Sequence, residues 1–250
     1  MSNPMPALIG HRGLPIEAPE NTKASVIAAA KKDIQWIEID VTMAGDGSLV
    51  IMHDNTLKLF GEPERTLLSL NEAQLRDVDA GSWFSEQFSG EPLLFLDGLL
   101  GLVKEFQLGL NLEIKINPDL ETQRQVTAVY TALDIAKLPH EKLLVSSFDH
   151  QALAMLRVLS STIAIGVLFE ILPEHLLNDV IHLLPTSIHC DQSKLTETQA
   201  RQIVPHYPLY CYTVNDPIKF EKLLGWGVSG IFCDRAYAQE MRDVVTKFSS

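Results

Sequence analysis

Short apolar runs rich in β-branched and aromatic residues recur along this chain, at residues 7–10, 36–41, 110–116, 143–148, 163–169, 187–190, 209–214 and 230–233. Between several of them lie stretches of helical periodicity, at 22–32, 119–137, 150–159 and 217–224. The short runs are predicted strands, and the periodic stretches are predicted helices with one apolar stripe. Strands alternating with helices predict a parallel sheet covered by helices, and eight strands predict a closed α/β structure, the (β/α)8 or TIM barrel. An open doubly wound sheet shows the same alternation. The barrel is favoured because polar residues gather at strand ends spread over the whole chain.

Local signals sharpen this layout. Asn21 and Thr22 can cap the first helix, and Asp216 followed by Pro217 is an N-cap with proline at the first helical position. Gly225 and Gly227 are expected to stop that helix. A further strand at 49–53 follows the second barrel strand after only Gly45-Asp46-Gly47, too short a link for a parallel crossover. It is expected to be a hairpin return that brings His53 back to the level of Asp40. Residues 55–92 fit no simple crossover and are expected to form a small insertion over the barrel mouth. It would carry a short capped helix near 71–78 and the aromatic residues Trp83, Phe84 and Phe88, which are costly to expose together. The whole of 1–250 reads as one domain containing that insertion.

Composition narrows the partners. With 250 residues, 46% of them hydrophobic, the chain can bury the core of one barrel-sized domain. A net charge of -12 repels nucleic acid and anionic membrane surfaces, so neither a nucleic-acid partner nor stable membrane association is expected. An anionic substrate would feel the same repulsion, so its site must supply positive charge from Arg12, Lys115 or a bound cation. Cys190, Cys211 and Cys233 are far apart without a Cys-x-x-Cys pair, which suits reduced buried thiols. Residues 1–6 carry no basic and apolar secretion pattern, and the apolar stretch 93–103 is broken by Asp97 and too short to span a bilayer. A cytoplasmic protein is the expectation.

The candidate chemistry follows strand period. Glu38 and Asp40 are two residues apart, so on a strand both carboxylates share one face while Ile37, Ile39 and Val41 take the other. Asn111, Glu113 and Lys115 alternate with apolar residues in the same way. Buried unpaired carboxylates are expensive, and a divalent cation held by Glu38, Asp40 and Glu113 removes the cost. Oxygen-only ligands select Mg2+ or Ca2+ over zinc. A lumen salt-bridge network of the same acids with Arg12 and Lys115 is the alternative. His11 and Arg12 end the first strand, where barrel enzymes place catalytic groups, and a second histidine, His53, stands beside Asp54. Glu20 either supports Arg12 or the metal shell, or merely favours the first helix's N-terminus. Ser187, His189 and Asp191 share a strand face and read as a hydrogen-bonded barrel interior.

In order along the chain, His11-Arg12-Gly13, Pro19-Glu20-Asn21-Thr22, Glu38-Ile39-Asp40, His53-Asp54 and Glu113-Ile114-Lys115 resemble the motifs of the glycerophosphodiester phosphodiesterase family, bacterial cytosolic type. Similar segments continue through 210–215 to Cys233-Asp234. The resemblance implies the same barrel, with His11 and His53 as the acid/base pair and Glu38, Asp40 and Glu113 binding one divalent cation. Arg12 and Lys115 would meet the phosphate of a small-molecule glycerophosphodiester, cleaved to an alcohol and sn-glycerol 3-phosphate. Several positions depart from the family. Tyr212 stands where tryptophan is common, Cys233 replaces a common threonine, no proline follows the Asp234 segment, and the Arg-Thr pair after His-Asp is missing. These leave the leaving-group contacts open, with Phe148 and Tyr212 as candidates to pack on glycerol carbons or simply as core. The rival functions are a phospholipase-type phosphodiesterase acting on a related substrate and a catalytically silent barrel that binds a phosphorylated metabolite.

Overall fold

The computed structural model describes residues 5–248. Eight parallel strands form the barrel: β1 (Leu8–Gly10), β2 (Trp36–Met43), β6 (Gly109–Ile114), β7 (Leu143–Ser147), β8 (Ala164–Phe169), β9 (Ser187–Asp191), β10 (Leu209–Tyr212) and β11 (Gly230–Cys233). Because β1 pairs with both β2 and β11, the sheet closes and the open doubly wound alternative is excluded. Antiparallel to β2 runs β3 (Leu49–Ile51), the expected hairpin return, with Val41 opposite Ile51.

Two buried clusters explain the closure. Ile37, Ile39, Val41, Leu110, Leu112 and Ile114 belong to the large cluster shared with the covering helices. Ile9, Trp36, Leu144, Ala164, Tyr210 and Phe232 form another. Residues from six strands around a ring meet only inside it, so the second cluster plugs the lumen.

The helices are α1 (Lys23–Lys31), α2 (Glu72–Arg76), α3 (Leu96–Glu105), α4 (Thr122–Ala136), α5 (His150–Leu159), α6 (Leu176–Val180), α7 (Glu197–Ile203), α8 (Pro217–Gly225) and α9 (Gln239–Phe248). Thr22 alone caps α1, accepting from Ser25 N, while Asn21 takes a left-handed backbone and points elsewhere. The apolar stretch 93–103 becomes most of α3, which covers the crossover into β6. Among the described residues, no helix is long and apolar enough to cross a membrane.

Residues 55–92 hold the antiparallel pair β4 (Thr56–Leu57) and β5 (Glu62–Thr66), and α2 with a capping box between Asn71 and Gln74. Leu57, Leu67, Leu75 and Val78 pack with Met52 and Phe95 into a separate small core. Trp83, Phe84 and Phe88 stack edge to face on one another, and Trp83 donates to the Ala80 carbonyl yet stays 39% exposed. Among the described residues it is Leu59 and Phe60, not these three, that line the cavity at the barrel mouth.

Candidate active site

The acidic cluster is a product of strand register. Asp40 lies opposite Glu113 and Glu38 opposite Asn111, so the three carboxylates stack at one end of β2 and β6. All are buried, and one oxygen from each lies within 4.8 Å of the others. Lys115 Nζ stands 2.5 Å from Glu113 Oε1 and 3.4 Å from Asp40 Oδ1, while Arg12 Nε is 3.4 Å from Asp40 Oδ2.

The charges are not fully balanced. Burial, reinforced by Asp40 and Glu113, pushes Glu38 well above the usual carboxylate range. Burial and Asp40 raise Glu113 to about 7 despite the opposing pull of Lys115. Burial acts on Asp40 too, but Lys115, Arg12, His53 and the Asn21 amide together outweigh it and hold Asp40 below its ordinary value. Glu38 Oε1 and Asn111 Oδ1 are buried without a hydrogen-bond partner among the described residues. Orphaned buried oxygens beside three clustered carboxylates are what a hard divalent ion satisfies, so this donor set fits a metal ion.

The loop after β1 is shaped to reach that cluster. Arg12 (φ 49), Gly13 (φ 87) and Asn21 (φ 57) all have left-handed backbones. At Gly13 a Cβ would fall 2.0 Å from Ser25 Oγ, so glycine is required there. The Arg12 carbonyl accepts from Asn21 N and from Ser25 Oγ, which ties the loop shut. Its backbone N–H donates to Glu38 Oε2 at 3.0 Å, and its guanidinium donates to Glu20 Oε1 at 2.6 Å. Glu20 is therefore a partner of Arg12. The sequence predicts Asn21 as a helix cap, not a site residue, yet its amide nitrogen donates to Asp40 Oδ2 at 2.9 Å and its oxygen accepts from Asp40 N at 3.2 Å. The available signal was that asparagine tolerates the left-handed region better than other side-chain-bearing residues.

Each histidine of the motifs meets a carboxylate. His11 Nδ1 lies 2.7 Å from Asp234 Oδ1, and its Nε2 is 3.9 Å from Glu38 Oε2. Asn215 donates to Asp234 Oδ2 and accepts from Asp234 N, so both oxygens of this carboxylate and its backbone are held. His53 Nδ1 lies 2.6 Å from Asp54 Oδ1, and the hairpin is fixed by Met52 N donating to the Asp40 carbonyl. The sequence assigns no role to Asp234 or Asn215, although both lie in segments that resemble the family.

A cavity of about 200 Å³ unites these groups: His11, Arg12, His53 and Lys115 line it together with the three acids. Its other wall is aromatic. Phe148, 43% exposed, lies edge to face with Tyr212 and under Lys115 Nζ, which is 5.5 Å from its ring centre. Tyr212 donates to the Phe169 carbonyl, and burial raises its hydroxyl pKa.

The sequence profile of the Glycerophosphoryl diester phosphodiesterase family matches residues 11–238. The chain belongs to that family. It is 32% identical to an Oleispira antarctica phosphodiesterase whose structure was solved in complex with the product sn-glycerol-3-phosphate, with a TM-score of 0.87 and 97% of each chain covered. The glycerophosphodiester phosphodiesterase of Caldanaerobacter subterraneus is 27% identical over 240 residues, covering 91% of this chain and 93% of the relative. That of Bacillus subtilis is 28% identical over 242 residues, covering 90% and 82%. The matched span begins at His11 and runs past Asp234, so both ends of the His11–Asp234 pair fall within it.

Proposed function

We propose that this family member hydrolyses small glycerophosphodiesters to an alcohol and sn-glycerol 3-phosphate. The observation that carries the reading is the convergence, on one cavity at the C-terminal ends of the barrel strands, of a carboxylate triad, two cations and two histidine–carboxylate pairs. Arg12 and Lys115 bind the phosphoryl oxygens and offset the charge that develops there. His11 and His53 hold and move protons at Nε2, since Nδ1 of each is engaged by a carboxylate. One removes the proton of the attacking group and the other protonates the departing alkoxide. Glu38, Asp40 and Glu113 hold one Mg2+ or Ca2+, which when bound supplies Lewis-acid polarisation of the phosphate. Phe148 and Tyr212 pack against the glycerol carbons.

The protein works in the cytoplasm as a single domain with 55–92 as an insertion, without nucleic-acid or stable membrane partners. Its acidic surface charge and its buried free thiols support that placement. Formation of sn-glycerol 3-phosphate from glycerophosphocholine tests the function directly. Activity is expected to vanish with chelator and return with Mg2+ or Ca2+; full turnover in metal-free protein would overturn the metal assignment.

A further inference from the structure

Arg12 and His53 belong to two cavities. One is the lumen site just described; the other, of about 210 Å³, lies between the barrel mouth and the insertion. A phosphodiester sends two alcohols away from one phosphorus in different directions. Residues that act at the phosphate therefore stand where the two paths meet, and Arg12 and His53 stand there. The lumen is plugged beneath by Ile9, Trp36 and Tyr210, so it suits a group of fixed size, the glycerol common to every substrate. The second chamber is bounded by an insertion loop and suits the alcohol that varies.

The lining of that chamber favours one chemistry. Ile51, Met52, Leu59, Phe60 and Leu93 form a wall without hydrogen-bonding side chains. Asn21 and Thr22 also line the chamber but are already engaged, Asn21 by Asp40 and Thr22 by the Pro19 carbonyl and Ser25 N, so a polyol placed there would lose most of its water with little replacement. Glu20 and Asp54 also line it, and each is engaged through one oxygen, Glu20 Oε1 by Arg12 and Asp54 Oδ1 by His53. Glu20 and Arg12 offset one another, so the negative charge left in the chamber is that of Asp54. Negative charge beside an apolar, partly aromatic wall is complementary to a cation clothed in methyl groups.

We propose that this chamber holds the departing alcohol and selects one bearing a methylated ammonium group, of the choline kind, over a polyol. The proposal rests on the diester hydrolysis given above. A rival exit exists, an open groove past Asn55 and Ile116 that also reaches His53 and Lys115.

The test compares kcat/KM for glycerophosphocholine and glycerophosphoinositol in the unaltered protein and in Leu59→Lys, Phe60→Leu and Asn55→Lys. The unaltered protein is expected to prefer the choline diester. Leu59→Lys, which puts a cation into the chamber, should cut kcat/KM for that diester about tenfold, the scale of like-charge repulsion in a partly solvated site, while sparing the inositol diester. Phe60→Leu should act in the same direction but less, and Asn55→Lys should leave the ratio unchanged. Free choline should inhibit the unaltered protein competitively and lose affinity in Leu59→Lys, a readout that needs no turnover of the choline diester. If the substrate ratio follows Asn55→Lys, or ignores Leu59→Lys in a variant that melts like the parent, the chamber assignment is wrong while diester hydrolysis stands. Failure to turn over any glycerophosphodiester would instead overturn the function on which it rests.

Discussion

The two halves of the barrel lumen bury histidines and carboxylates in opposite ways. On the side of β1, β2 and β6, three carboxylates are sunk below the surface and only partly offset by Arg12 and Lys115. On the side of β8 to β11, His189 is equally buried but, among the described residues, has no carboxylate bonded to it. It bonds Ser187 Oγ at 2.8 Å, lies against Tyr210 and Phe232, and its pKa is pushed down to about 3 by burial. Gly166 makes room for the ring, since a Cβ there would fall 2.5 Å from His189 Cε1. A buried histidine thus becomes a neutral packing group unless the fold spends a carboxylate on it. His11, with Asp234 on Nδ1, is the contrasting case, and the partner rather than the residue type separates proton transfer from structure.

The largest expected effect tests that contrast. His11→Ala and His53→Ala should each lower kcat by about 10²–10⁴-fold on glycerophosphocholine with little change in metal affinity. His189→Asn should leave kcat within a small factor and act on the melting temperature instead. If the departing alcohol occupies the second chamber, His53 is the group that protonates it. A p-nitrophenyl diester, whose leaving group needs little protonation, should then rescue His53→Ala far more than His11→Ala. Wild-type rates in both alanine variants would remove histidine catalysis from the mechanism.

Next in size is removal of a metal ligand. Glu113→Gln keeps the volume of the side chain and its contact with Lys115, so the barrel should fold, but metal affinity should fall by about 10–100-fold or more. Calorimetric titration of the metal reads this without turnover. An unchanged isotherm would mean that Glu113 is not a ligand.

The two halves should also titrate in opposite senses. Glu113 has a folded pKa of about 7, above its ordinary 4.5, so its contribution to metal-free stability is complete below 4.5 and is lost as pH rises through 7. Glu38 shifts in the same direction. His189 has a folded pKa of about 3, below its ordinary 6.5, so its contribution is complete above 6.5 and is lost as pH falls toward 3. Between 4.5 and 6.5 the halves oppose, and above 6.5 only the carboxylates act. Melting of the chelated protein should therefore show a shallow dependence between about pH 4.5 and 6.5, a fall below that window, and a loss of a few degrees as pH rises through 7. Glu113→Gln should flatten the upper limb, and added metal should abolish it. A chelated protein that gains stability from pH 6.5 to 8 would contradict the unbalanced charge assigned to the acidic half.

Much of this arrangement was legible in the chain because strand period is local. Glu38 and Asp40 announce a shared face by spacing alone, and the short Gly45–Gly47 link announces the hairpin that returns His53. What escaped depends on distance or on missing start signals. Asp234 meets His11 across 223 residues only because β11 closes against β1, and no local pattern encodes that pairing. Helix α3 begins at a Phe95 cap without a side-chain hydrogen bond and contains Gly98 and Gly101, so its apolar run lacked the marks of a helix. Trp83, Phe84 and Phe88 were expected over the mouth because aromatic residues are costly to expose. They lower that cost by stacking on one another, leaving Leu59 and Phe60 to reach the cavity.

The smallest expected effect concerns Asn21, which holds the acidic half in register. Its amide spans the backbone and the carboxylate of Asp40, so removing it frees that side chain to rotate away from the site. Substitution by alanine would confuse this with backbone strain, because φ 57 disfavours a Cβ. Asn21→Gly relieves the strain and deletes only the amide. One hydrogen bond to a charged partner is worth about 1.5–3 kcal/mol at most, and the freed carboxylate can recover part of it from water. Metal affinity in Asn21→Gly should accordingly fall by roughly 3–30-fold, with kcat at saturating metal close to that of the parent. Asn21→Asp should be worse than Asn21→Gly, since it adds like charge beside Asp40. If calorimetry finds Asn21→Gly binding metal as tightly as the parent, the amide does not position Asp40 and the left-handed turn serves only to bring Arg12 and Glu20 together.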